Sequence, residues 1–265
     1  MNLGTDNGDI TFKAADTNNA AQNITLSGSL AGLGGLIKTG SGTLLLNGYN
    51  YYAGTTLVSA GALGGTGVIG GPVVVGANGT LAPGASIGTL TINNNLTISG
   101  NLFIEVDRTA SPSSDYVNVS GALANAGTGT VMVTNVGTSP LAVGDSFTLF
   151  SQLLVNGNAL TVIGAGAVWT NKLAYDGSIE VVSLLPPPNF SPGGAARLPD
   201  GNISLTATGG LGAVYKLWAS PDVALTPVAT TWTLLSSGTV TTSPFTITDL
   251  NATNYPQRFY LFSAP

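Results

Sequence analysis

Glu105 and Asp107 stand two residues apart in the run Leu102-Phe103-Ile104-Glu105-Val106-Asp107. In a strand that spacing puts both carboxylates on one face, about 7 Å apart, and Leu102, Ile104 and Val106 on the other. Carboxylates at such a separation can protonate a glycosidic oxygen and activate a water, the chemistry of glycosidases. The plainer reading is a solvated face beside Arg108, because no second cluster of acids or bases accompanies the pair. We adopt the plainer one.

Other motifs lose their chemistry when their partners are sought. Gly84-Ala85-Ser86-Ile87-Gly88 has the spacing of a nucleophile elbow, but that serine needs a general base, and the chain has no histidine. Without His or Cys, most zinc, iron and copper sites are also excluded. Gly65-Thr66-Gly67-Val68-Ile69-Gly70 fits a dinucleotide fingerprint, yet Pro72-Val73-Val74-Val75 follows as a strand where the phosphate-binding helix is required. Asp6-Asn7-Gly8-Asp9 reads as a turn rather than a calcium site. No catalytic, cofactor-binding or metal residues are assigned, and no cofactor is expected. Tyr49, Asn50, Tyr51 and Tyr52 form the one aromatic cluster of the first 185 residues, a candidate carbohydrate patch or a structural loop.

Very short aliphatic strands carry these residues: Thr43 to Leu46, Thr55 to Val58, Val73 to Val75, Gly88 to Ile92. Glycine interrupts them every few residues, and no gap is long enough for a helix. Strands this short are marginal as hairpins and bury their faces only by stacking on a neighbouring turn. A repeat supports the stack. Ile24-Thr25-Leu26-Ser27-Gly28-Ser29-Leu30 returns as Leu96-Thr97-Ile98-Ser99-Gly100-Asn101-Leu102 and as Val117-Asn118-Val119-Ser120-Gly121-Ala122-Leu123. Turns of roughly 18 to 24 residues fit the spacing, so residues 1–185 predict about nine turns and a rod of some 40–45 Å. Residues 125–185 read as the less regular end of the coil.

Composition breaks at Pro186-Pro187-Pro188. Ten of the 14 prolines lie at or beyond that point, which marks residues 186–194 as a linker. Strand candidates then follow at Asn202 to Thr208, Ala213 to Trp218, Thr231 to Leu235, Phe245 to Thr248 and Arg258 to Phe262. They predict a small antiparallel Ig/FnIII-like sandwich over 195–265, with Trp218, Trp232 and Phe259 as anchors.

Charge bounds the partners. Only 7% of residues are charged, against roughly a quarter in a usual domain, and 12 acids face 7 bases. That leaves no basic footprint for nucleic acid, and so little mutual repulsion favours self-association. No apolar run reaches a membrane span of about 18 residues. The start, Met1-Asn2-Leu3-Gly4-Thr5-Asp6, lacks the regions of a signal peptide, so the chain reads as a mature or truncated portion of an exported protein.

The segment from Gly34-Gly35-Leu36-Ile37-Lys38-Thr39-Gly40-Ser41-Gly42-Thr43-Leu44 to Asn50-Tyr51-Tyr52-Ala53-Gly54-Thr55-Thr56-Leu57-Val58 resembles the autotransporter-associated β-strand repeat. Ala82-Pro83-Gly84-Ala85-Ser86-Ile87-Gly88-Thr89-Leu90 is similar to a segment common downstream of it. The resemblance implies a right-handed parallel β-helix in an extracellular or bacterial cell-surface protein, and scaffolding rather than catalysis. It departs from true autotransporters in lacking strands of about ten residues with aromatic girdles, the mark of a membrane barrel. The reading is an all-β, non-enzymatic structural protein that associates end to end into a fibre or surface layer, with Ile10 and Phe12 at the assembly edge. Its rivals are an adhesin for glycan or protein, and a polysaccharide-active enzyme.

Overall fold

The structure, a computed structural model, describes residues 1–3 and 8–263. It divides into two compact units, Met1–Ile163 with Trp169–Val182, and Gly164–Val168 with Ser183–Pro265.

The first unit is a three-faced stack of parallel strands. Ile10–Lys13, Leu36–Thr39, Thr56–Val58, Val73–Val75, Leu96–Ile98 and Leu123–Asn125 form the first face. Ile24–Leu26, Thr43–Leu46, Gly61–Gly65, Gly79–Pro83, Asn101–Val106, Thr130–Asn135 and Thr161–Gly164 form the second. The third has Tyr49–Asn50, Val68–Ile69, Thr89–Ile92 and Tyr116–Val119. From Leu36 to Val119 four successive passages visit the faces in that order, so neighbours in space are one turn apart in sequence. This is a parallel β-helix.

Register explains the core. Leu44, Leu63, Leu81, Leu102 and Val131 occupy one ladder position on successive strands of the second face. All five are buried. Alternate residues share a face, so each strand sends one or two aliphatics inward onto the same stack. Each such side chain contributes roughly 1.5–3 kcal/mol through its burial. No single turn could hide these residues alone, which is why the strands need one another.

First-face strands begin 17 to 27 residues apart. Among the described residues the second face has seven strands, so the stack spans about 29 Å. Nine turns were expected. The coil is shorter because some corners are long, as between Val106 and Tyr116, and because the chain leaves the stack after residue 164. Ser146–Thr148, Ala167–Lys172 and Ser178–Leu184 form a separate three-stranded sheet, with the first and last of these antiparallel.

In the second unit, two sheets of three strands enclose one core. Ile203–Thr208 lies between Asn189–Arg197 and Phe245–Asp249, and Val214–Ser220 lies between Thr233–Thr239 and Phe259–Ser263, all antiparallel. Two expectations change here. Asn189–Arg197 is an edge strand with a bulge between Phe190 and Ala195, so the linker expected over 186–194 runs into the sheet. The aromatic anchors are Tyr215, Phe245 and Phe262, which pack with Leu205, Leu217 and Val240. Trp218 and Trp232 are buried elsewhere, their indole N–H groups donating to Ser263 Oγ and the Leu225 carbonyl, both at 2.9 Å. Strand alternation accounts for the exchange, because Tyr215 and Leu217 point one way and Trp218 the other.

Candidate functional site

The coil's interior is apolar, so its few polar residues stand out. Lys38 faces inward at the ladder position of Val58 and is fully buried. Its Nζ donates to the carbonyls of Thr39 (2.9 Å), Gly40 (2.8 Å) and Ala60 (2.9 Å). Burial pushes its ammonium down to about 8. The neighbouring corner is fitted to it, since a Cβ on Gly61 would lie 2.7 Å from the Nζ, at a backbone φ of +67°. The inward ladder position after Leu36 was the signal in the sequence for Lys38's burial.

The tyrosine cluster separates into two pairs. Asn50 is buried in the third face, where its Oδ1 accepts from Leu30 N–H at 3.1 Å and its Nδ2 donates to the carbonyls of Gly48 (2.9 Å) and Val68 (3.1 Å). Tyr52 is fully buried and its hydroxyl hydrogen-bonds with Thr56. Burial raises that phenol to about 12. Both are therefore internal ties, and a four-residue surface patch does not form. Tyr49 and Tyr51 are 60% and 61% exposed and carry the remaining ring surface.

The carboxylates also part. Phe103 and Glu105 point outward from Asn101–Val106, as alternation requires, and Leu102, Ile104 and Val106 point in. Asp107 lies beyond the strand, its Oδ1 accepting from the amide (2.8 Å) and hydroxyl (2.7 Å) of Thr109. Those bonds hold its carboxyl below the usual range. Arg108 pairs with Asp145 at 3.3 Å rather than with either acid.

Asp115, which nothing in the sequence singled out, sits beside Glu105. It is 1% exposed, and its two oxygens accept from the amides of Gly88 (3.0 Å) and Glu105 (2.8 Å). Burial raises its carboxyl to about 7 against the effect of those two bonds. The reason it is needed is local. Gly79–Pro83 pairs with Asn101–Val106 only through Thr80 and Leu81, because Gly84 turns aside to exchange backbone hydrogen bonds with Gly65 (2.8 and 3.0 Å). The Glu105 amide thus lacks a strand partner, and Asp115 replaces it. A shallow groove of about 230 Å³ opens over this interruption, bordered by Ser86, Phe103, Glu105 and Asp115 and reaching Asn23, Thr43 and Leu45.

The remaining motifs are turns. Val68–Ile69 within the glycine fingerprint is a third-face strand, and Ser86 lies in an exposed corner. Asp6 and Asn7 fall outside the described residues. Asp9 accepts from the Gly35 amide at 2.9 Å, tying the first turn to the second. Ile10 and Phe12 face inward at the ladder positions of Leu36 and Lys38, and both are half-buried.

Residues 36–64 match the family model of the passenger-associated-transport-repeat. The match covers the turn that contains Lys38, Asn50 and Tyr52 and the start of the next, and bears out the resemblance to the autotransporter-associated repeat. Such a passenger-type repeat accords with a cell-surface or extracellular protein. No match was found among the curated proteins. Among the described residues no helix is long and apolar enough to cross a membrane.

Proposed function

We propose that this chain is a non-enzymatic extracellular structural subunit whose coil associates end to end with further copies of itself, the second unit being an Ig/FnIII-like sandwich. The supporting observation is the state of the first turn. Ile10, Phe12, Ile24 and Leu26 point into the coil, yet all four are half-buried, whereas Leu36, Lys38, Leu44 and Leu46 one turn on are 0% exposed. Among the described residues no strand lies on the outer edge of Ile10–Lys13 or Ile24–Leu26. An edge with free amides and carbonyls over an open apolar stack is a template for another strand. A head-to-tail contact of that kind propagates. Electron microscopy of the purified chain at several concentrations tests this. Filaments lost on Ile10→Lys, with the β circular-dichroism signal retained, are expected. Discrete particles at every concentration would overturn the proposal.

A second reading draws on Tyr49 and Tyr51. They stand two residues apart with both rings exposed, a stacking platform for a glycan on a surface stalk. Glycan binding lost in Tyr49→Ala and Tyr51→Ala, by a protein that stays monomeric, would favour it over assembly.

A further inference from the structure

We infer that the groove on the second face is a binding site for a neutral oligosaccharide, distinct from both the first-turn edge and the Tyr49–Tyr51 pair. Its walls are Leu45 and Phe103, which stand two and one strands away from Ala82 on the same outward row. Gly64 and Ala82 between them are the smallest side chains of that row, so the surface dips there. From Thr43–Leu46 to Asn101–Val106 is three strand spacings, about 14 Å, room for a short run of sugar rings.

The chemistry of the lining selects the ligand. Phe103, 37% exposed, offers a ring face on which the C–H side of a sugar can stack. Thr43 and Ser86 supply hydroxyls at the two sides. Among the described residues the Glu105 carboxylate has no hydrogen bond or ion pair, although its own backbone amide is tied down by Asp115. An ionised carboxylate on a fixed strand is a strong acceptor for paired hydroxyls. Among the described residues no lysine or arginine borders the groove, and the Glu105 carboxylate faces it, so acidic sugars and phosphates are disfavoured. A peptide strand is disfavoured as well. The groove lies on the face of a sheet whose backbone groups are largely spent on neighbouring strands, which leaves side chains to do the recognition.

Calorimetric titration of the full chain with cellotetraose, laminaritetraose and maltotetraose tests the site. At least one is expected to bind, with affinity reduced about tenfold or more by Phe103→Ala. Glu105→Gln should reduce it several-fold and Tyr49→Ala should leave it unchanged. Phe103 and Glu105 both point outward, so circular dichroism of the variants should match the parent. Absence of binding by all three sugars overturns the inference. So does binding that survives Phe103→Ala or that is abolished by Tyr49→Ala.

Discussion

The Nζ of Lys38 donates a 2.9 Å hydrogen bond to the carbonyl of Ala60, so a buried cation on one turn holds the corner of the next. Among the described residues no carboxylate pairs with it. The three carbonyls around it do the work of a counter-ion, with three donors matched to three acceptors. Lys38→Met keeps most of the aliphatic volume and removes all three donors. It should destabilise the first unit by about 2 kcal/mol or more, read by urea unfolding.

The same lysine gives a pH signature. Its folded value of about 8 lies below its ordinary 10.5. Below pH 8 both folded and unfolded chains carry the proton, and the burial penalty is present in full. Between 8 and 10.5 the folded protein releases the proton first, so this group's contribution raises stability as pH rises. Across that window the unfolding midpoint of the parent should rise relative to that of Lys38→Met, widening the gap between them.

Asp115 acts in the opposite sense and at lower pH. Its folded value, raised to about 7 from 3.8, means the native state holds a proton that the unfolded chain has lost. Its contribution is therefore fully present below 3.8 and is lost as pH climbs through 7. Asp115→Asn should flatten the fall in stability between those limits. Chemical denaturation at a series of pH values measures it.

Asn50 predicts a cost without a charge. Its amide answers three backbone groups spread over three successive turns, Leu30, Gly48 and Val68. Asn50→Leu fills the space with an apolar side chain but leaves the buried Leu30 amide without its acceptor, while the Gly48 carbonyl keeps only the Val68 amide at 3.0 Å. The expected loss is about 2–4 kcal/mol, with hydrogen exchange accelerated first at Leu30 and Val68.

In the second unit Arg258 and Asp249 form a buried pair, with Nη1 lying 3.0 and 2.9 Å from the two carboxylate oxygens. The Tyr260 hydroxyl donates to the same carboxylate at 3.0 Å. Burial, reinforced by that acceptor, raises the phenol to about 12. Asp249→Asn should cost about 3–5 kcal/mol by leaving the guanidinium unpaired. It should also lower the Tyr260 titration midpoint, which ultraviolet absorbance follows.

Strand positions were legible in the sequence because period-two alternation and glycine corners are local signals. Thr43–Leu46 and Val73–Val75 fall where the pattern placed them. What was hidden depends on the path of the chain. Asn189–Arg197 carries a proline and two glycines, the composition of a linker, and becomes a strand only because Ile203–Thr208 offers it an edge. Asp115 gains its meaning from Gly88 and Glu105, brought to it by a corner of the coil. Asn50 and Tyr52 looked like surface residues because polar and aromatic types between glycines usually are. Their neighbours, supplied by adjacent turns, make them internal.

The parallel register has a mechanical consequence. Its interstrand hydrogen bonds run along the stack, and each face of a turn contributes only two to six residues to its ladder. Tension applied between the two ends of the stack would load one turn at a time, so the coil should yield as a series of small peeling events rather than in one rupture. Lys38 and Asn50, which clasp successive turns through side chains, would be the places where peeling pauses.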